Sequence, residues 1–130
     1  MAMFPCAHMH LVADAPQRQA MLDAMLAFLT ETVFVYMDVA GNGLLPVEAE
    51  RQGKIVITTE LGGGGFCPKY HHMLAHRGVK NVLRKLGVLG DSPPLTREDM
   101  GESSTTVVAA VDPRDYYPAN SHGFWECVSQ

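Results

Sequence analysis

Long apolar runs, paired cysteines and blocks of positive charge are all missing from this 130-residue chain. Its apolar stretches are short, Val107 to Val111 among them. That is far below the roughly 20 residues needed to cross a bilayer, so no membrane partner is expected. The amino terminus, Met1-Ala-Met-Phe-Pro-Cys-Ala-His8, has neither a cationic start nor a sustained apolar stretch and does not read as a signal peptide. Cysteine is scarce: Cys6, Cys67 and Cys127 are odd in number, widely spaced and form no C-x-x-C pair. Reduced thiols in a cytoplasm fit this better than a disulfide framework or a zinc knuckle. Ten Lys and Arg against fourteen Asp and Glu give a net charge of −4. With no basic run longer than a residue or two, nucleic acid is excluded as an expected partner.

The composition that remains, 47% hydrophobic and 18% charged, is that of a folded chain rather than a disordered one. A chain near this length buries roughly two-thirds of its unfolded surface, enough for a core without a disulfide or metal staple. Asp14, Pro16 and Gln17 compose a helix start, with a capping carboxylate and a proline in the first turn. Met21, Leu22, Met25, Leu26, Phe28 and Leu29 then recur at helical spacing, which predicts a helix over residues 15–30. Thr32 to Met37 reads as a strand and Pro46 to Gln52 as a short helix stopped by Gly53. Lys54 to Glu60 is almost continuously β-prone, the pattern of a strand covered on both faces. Pro68 opens a second long helix ending at Gly87. Alternating helices and strands predict a layered α/β architecture. A turn-rich stretch from Gly90 to Ser104 suggests a boundary near residue 103, with Thr105 to Val111 as a new strand beyond it. Both ends read as cut: the first residues enter as if in the middle of a loop, and a second apolar strand is expected to begin at Trp125-Glu-Cys-Val-Ser-Gln130, where the sequence ends. Unpaired strands there predict self-association, relieved by deleting residues 104–130.

Glu60 stands where the β-prone run meets four glycines, Gly62 to Gly65. Strand ends carry the reactive groups of α/β enzymes, and glycines let a ligand approach the backbone. A carboxylate leaving a dry sheet would also have its charged form disfavoured. Glu60 is therefore a candidate general base or acid, with Gly62, Gly63 and Gly64 as a candidate substrate loop. From the bare residues alone, a capping or salt-bridged Glu beside a flexible turn is the simpler reading. A phosphate loop is weakly supported, because neither G-x-G-x-x-G nor G-x-x-x-x-G-K-[ST] is present. His8 and His10 would share one face of a strand and His72 and His76 one face of a helix, pairs that can chelate. The simpler reading of His8, His10, His71, His72 and His76 is a solvated surface, and of Cys67 a small buried thiol. Asp38 and Glu48 could join Glu60 as a second carboxylate. Tyr116, Tyr117, Phe124 and Trp125 read as packing aromatics, with no basic residues interleaved for nucleic-acid stacking.

At Gly53-Lys-Ile-Val-Ile-Thr-Thr-Glu-Leu-Gly-Gly-Gly-Gly65 and Gly78-Val-Lys-Asn-Val-Leu-Arg-Lys-Leu-Gly-Val-Leu89 the residues become specific. Together with Phe4-Pro-Cys-Ala7, Leu44-Leu-Pro46 and Tyr117-Pro-Ala-Asn-Ser-His-Gly-Phe-Trp-Glu126, they closely resemble the succinylglutamate desuccinylase and aspartoacylase family of zinc carboxypeptidase-like deacylases. The branch they look most like removes acyl groups from N-acylated amino acids, the acetyl-diaminobutyrate deacetylases of ectoine breakdown included. The resemblance implies that Glu60 is the catalytic general base. It also implies zinc, bound in the family through a His-x-x-Glu pair and a later His in an Asp-Leu-His-Ser-Gly-Gly-like segment. All of these would precede Phe4, so no metal ligand is expected in this chain, His8 and His10 included.

The expectation is thus an α/β piece of a zinc-carboxypeptidase-like α/β/α domain with a mixed sheet over residues 1–103, followed by the start of a small β domain over residues 104–130. The expected function is hydrolysis of the amide bond of an N-acyl amino acid in the complete protein, which would carry zinc. The isolated chain is expected to be inactive and to bind no zinc. Its expected partners are the small-molecule substrate and a second copy of itself in a homo-oligomer. The alternative is a noncatalytic α/β scaffold or interaction module of the same fold.

Overall fold

A computed structural model describes residues 4–38, 43–63, 65, 67–90, 92–112 and 114. The carboxyl-terminal aromatics and Cys127, together with Gly64, lie outside them. In chain order the elements are β1 (Cys6–His10), α1 (Ala15–Leu26), β2 (Thr32–Tyr36), α2 (Leu45–Arg51), β3 (Thr58–Glu60), α3 (Lys69–Lys85), a 3-10 turn (Glu98–Met100) and β4 (Thr106–Ala110). The fold class is α/β, as expected. Four strands form one mixed sheet in the order β3-β1-β2-β4. β1, β2 and β4 run parallel and β3 pairs antiparallel with β1. Among the described residues no helix is long and apolar enough to cross a membrane.

The helix start at Asp14 forms as its residues dictate: the Asp14 carboxylate accepts the Gln17 backbone N–H at 2.8 Å, with Pro16 in the first turn. The Gln17 side chain does not return to the cap. It donates instead to the carbonyls of Glu50 and Lys54, at 2.8 and 2.9 Å, and ties α1 to the end of α2. The helix expected to reach residue 30 stops at Leu26. Phe28 and Leu29 continue its apolar stripe in sequence but are buried beyond its end, where Leu29 adopts a φ of 68°. Such a left-handed leucine costs roughly 1–2 kcal/mol. Its side chain is almost fully buried and its carbonyl accepts from the Arg97 guanidinium at 3.2 Å, which holds the turn into β2.

The core lies on the α1 side of the sheet, where Ala7, Met9 and Val33 meet Met21, Met25 and Phe28. α3 joins this side through Val82 and through Gly78. A Cβ at Gly78 would stand 2.6 Å from the Phe28 carbonyl oxygen and 2.7 Å from its ring, so only glycine permits this approach. Asn81, fully buried, donates to the carbonyls of Ala27 and Leu95 and accepts the Leu95 N–H, all within 2.9 Å. One side chain thereby satisfies three backbone groups that would otherwise lie unpaired.

Two expectations are corrected here. The run Lys54–Glu60 is not a strand covered on both faces: only Thr58–Glu60 pairs, at the sheet's edge, and its residues are half-buried. Lys54 is drawn off the ladder because its N–H donates to Ala49 and its carbonyl accepts from Gln17, while Val56 and Ile57 pack sideways onto the core. The strand beyond residue 103 is not unpaired. Thr106–Ala110 lies in parallel register along β2, and the Thr105 hydroxyl donates to Thr30, so this segment completes the same sheet as the strands before it. Deleting it would uncover the edge of β2.

Candidate functional site

Alternation along β1 sends Ala7 and Met9 into the core and turns Cys6, His8 and His10 to the other face. The neighbouring strands extend that second set. Parallel register places Tyr36 opposite His10, and antiparallel register places Thr58 opposite His8 and Glu60 opposite Cys6. Glu60 therefore stands at the carboxyl end of β3, on the same sheet face as two imidazoles, a phenol, a hydroxyl and a thiol.

His8 sits at the middle of this group and is half-buried. Its Nδ1 lies 2.6 Å from the Thr58 hydroxyl and 3.2 Å from that of Tyr36. Burial pushes its protonation below the usual imidazole range, an effect that the nearby Glu60 charge opposes and His10 reinforces. His10 is buried, and its Nδ1 donates to both oxygens of the buried Glu50 carboxylate at 3.0 and 2.9 Å. A carboxylate only accepts, so this bond places the His10 ring hydrogen on Nδ1. The Tyr36 ring packs edge-on against His10, with ring centres 4.8 Å apart. Burial pushes the Cys6 thiol up, with the Glu60 charge adding to the rise and a hydrogen bond with the Glu60 backbone opposing it.

The surface reading of His8 and His10 is thus overturned: both lie within the sheet and are bonded to side chains. Cys67 is corrected the other way, since it is exposed rather than buried. His72 and His76 are exposed on α3, as the simpler reading held, while His71 is half-buried there. Glu48 is exposed and bonded by Gln52 at 2.9 Å, and Asp38 follows the end of β2. The candidate loop begins with Gly62 at a φ of 124°, a conformation that favours glycine. Gly63 follows, Gly64 lies outside the described residues, and a side chain at Gly65 would meet open space.

Three participants were missed in the sequence: Tyr36, Glu50 and Thr58. Glu50 had one weak signal, its spacing of three from Val47 on a short helix, which puts both on the buried side. Among the described residues no group of three His, Cys, Asp or Glu could hold a metal ion.

The sequence is 33% identical over 85 residues to N-alpha-acetyl-L-2,4-diaminobutyric acid deacetylase of Halomonas elongata, a match covering 65% of this chain and 25% of that protein. The fold superimposes on a succinylglutamate desuccinylase from a Silicibacter strain with a TM-score of 0.71 at 26% identity, over 82% of this chain and 30% of that one. The product-bound ectoine utilization protein of Ruegeria pomeroyi gives a TM-score of 0.72 at 27% identity, over 86% and 32% of the two chains. A succinylglutamate desuccinylase/aspartoacylase from Rhodobacter sphaeroides gives 0.72 at 28% identity, over the same shares. The chain spans about a quarter of the curated relative and about a third of these structures. No protein-family model matches it.

Proposed function

We propose, from the premise that this chain belongs to the succinylglutamate desuccinylase/aspartoacylase family, that it is the part of a deacylase that carries the general base, Glu60. The reaction is hydrolysis of the amide bond of an N-acyl amino acid, giving a carboxylate and a free amino group. The observation that supports it most is the place of Glu60: at a strand end, before the left-handed Gly62, on the sheet face that collects the polar side chains. There the Glu60 carboxylate would take a proton from the attacking water and deliver it to the departing nitrogen. The resemblance also implies zinc, and no residue of this chain is assigned to it.

The test is Glu60→Gln in the complete protein. Glutamine keeps the size and one accepting oxygen but cannot take up a proton. Removal of a general base costs roughly a hundredfold to ten-thousandfold in rate, about 3–5 kcal/mol of barrier. Turnover of an N-acetyl amino acid should fall by that factor with folding intact. Near-normal turnover would leave Glu60 as a strand end and favour the scaffold alternative.

A further inference from the structure

Glu60 rides on the shortest of the sheet's four strands: β3 has three residues and the others five each. It pairs with β1 alone, at an edge, so the ladder by itself holds its register weakly. A slip of one residue would turn Glu60 from the polar face to the core face. Val56, Ile57 and Leu61 pack against the core, but apolar contacts carry no direction. The directional bonds stand at the two ends of the segment that leads into β3. At the near end the Thr58 hydroxyl lies 2.6 Å from the His8 Nδ1 and 3.3 Å from the His8 carbonyl oxygen, directly across the ladder. At the far end is Glu50. Its buried carboxylate accepts from the buried His10 ring at 2.9 and 3.0 Å, two residues further along the same strand. Its carbonyl accepts from the Gln17 side chain at 2.8 Å, and the same Gln17 amide reaches the Lys54 carbonyl at 2.9 Å. Residues 50–58 are thus closed onto β1 at both ends, at His10 and at His8, and braced from α1 in between. Backbone bonds from Gly53 to Glu50 and from Lys54 to Ala49, at 2.9 and 3.0 Å, take up slack inside this loop.

We propose that Glu50, acting through His10, is a positioning residue for Glu60: the pair clamps α2 to β1 and so sets the register in which β3 presents the base. The role rests on the reading of Glu60 as the base. Of the seven residues of α2, Val47 and Glu50 are the buried ones, so the helix has one apolar anchor and one polar anchor. A buried carboxylate–imidazole bond is a poor source of stability, since apolar groups of the same size often hold a fold as well. It is directional, however, and selects one arrangement where apolar packing tolerates several.

The experiment is amide hydrogen exchange in the 130-residue chain, read separately for β3 and for α1. The main variant is Glu50→Met with His10→Phe, which replaces the pair by apolar groups of similar size and leaves no buried charge unpaired. The β3 amides should exchange about tenfold faster or more, while α1 keeps its protection. Glu50→Asp, which keeps the charge but draws it back by one methylene, should loosen β3 in the same sense and serves where the double variant does not fold. In the complete protein either variant should lower kcat on an N-acetyl amino acid, the double variant by about tenfold to a hundredfold, with KM little changed. Glu50→Gln, which keeps an oxygen to accept the His10 N–H, should bring both readings close to wild type. Unchanged β3 protection in the variants overturns the proposal. So does a loosening of β3 and α1 together, the mark of a pair that only stabilises. Equal losses of kcat in Glu50→Gln and the double variant overturn it as well. The base reading fails separately, by undiminished turnover in Glu60→Gln, and exchange then still decides whether the pair holds β3.

Discussion

Five consecutive residues of β1 serve two different environments. Ala7 and Met9 are enclosed by Met21, Met25 and Phe28 in an apolar cluster. Cys6, His8 and His10, interleaved with them, lie among a phenol, a hydroxyl and two carboxylates. The backbone ladder is common to both sides, so the contrast is set by side chains alone. On the core side the free energy comes from area removed from water, roughly 25 cal/mol per Å², and is indifferent to pH. On the other side it comes from hydrogen bonds whose partners titrate, and each bond there also fixes the orientation of a ring. One face holds the chain folded, and the other arranges groups that can move protons.

The largest effect is expected on the core side. Phe28→Ala removes a buried ring that seals α1 against Gly78 and should cost about 3–5 kcal/mol. Denaturant unfolding checks this, and the loss should be the same at pH 5 and pH 8. On the polar face Glu50→Gln keeps the shape but weakens the charge-assisted bond to His10, and about 1–3 kcal/mol should be lost. If Glu50→Gln costs as much as Phe28→Ala, the polar face is as much a stabilising core as the other.

The smallest effect is a slope. An unfolded histidine titrates near about 6.5, and burial sets the His8 imidazole lower in the folded chain. As pH falls through the unfolded value, the unfolded chain takes up a proton that the folded chain refuses, so stability declines. The His8 contribution is complete above about 6.5 and levels off below its folded value. His8→Gln should remove that part of the slope, as read from unfolding midpoints across pH, whereas Phe28→Ala should leave it unchanged.

The sequence showed its local chemistry more clearly than its pairing. The cap at Asp14, the short helix after Pro46 and the glycine stop of the long helix at Gly87 were legible because each depends on neighbours within four residues. The run Lys54–Glu60 misled because β-propensity describes side chains that suit a pleated surface. It does not tell which residues find a ladder partner. Thr106–Ala110 was placed outside the sheet for the same reason, as its register with β2 depends on residues more than seventy positions away. Glu60 is singled out in the sequence by the glycines beside it and by the family resemblance. The network around His8 and His10 was not legible, because Tyr36, Glu50 and Thr58 meet them only after three strands and α2 have assembled.

The division between the two faces is tested most directly by carrying Phe28→Ala and Glu60→Gln in the complete protein and measuring unfolding free energy and N-acetyl amino acid turnover on the same samples. Phe28→Ala should lose about 3–5 kcal/mol of stability while the molecules that remain folded turn over at a rate close to wild type. Glu60→Gln should unfold within about 0.5 kcal/mol of wild type, as expected of a half-buried strand end, and lose roughly a hundredfold or more in rate. A Glu60→Gln protein that loses stability in proportion to its activity, or keeps both, would contradict the assignment of chemistry to this face.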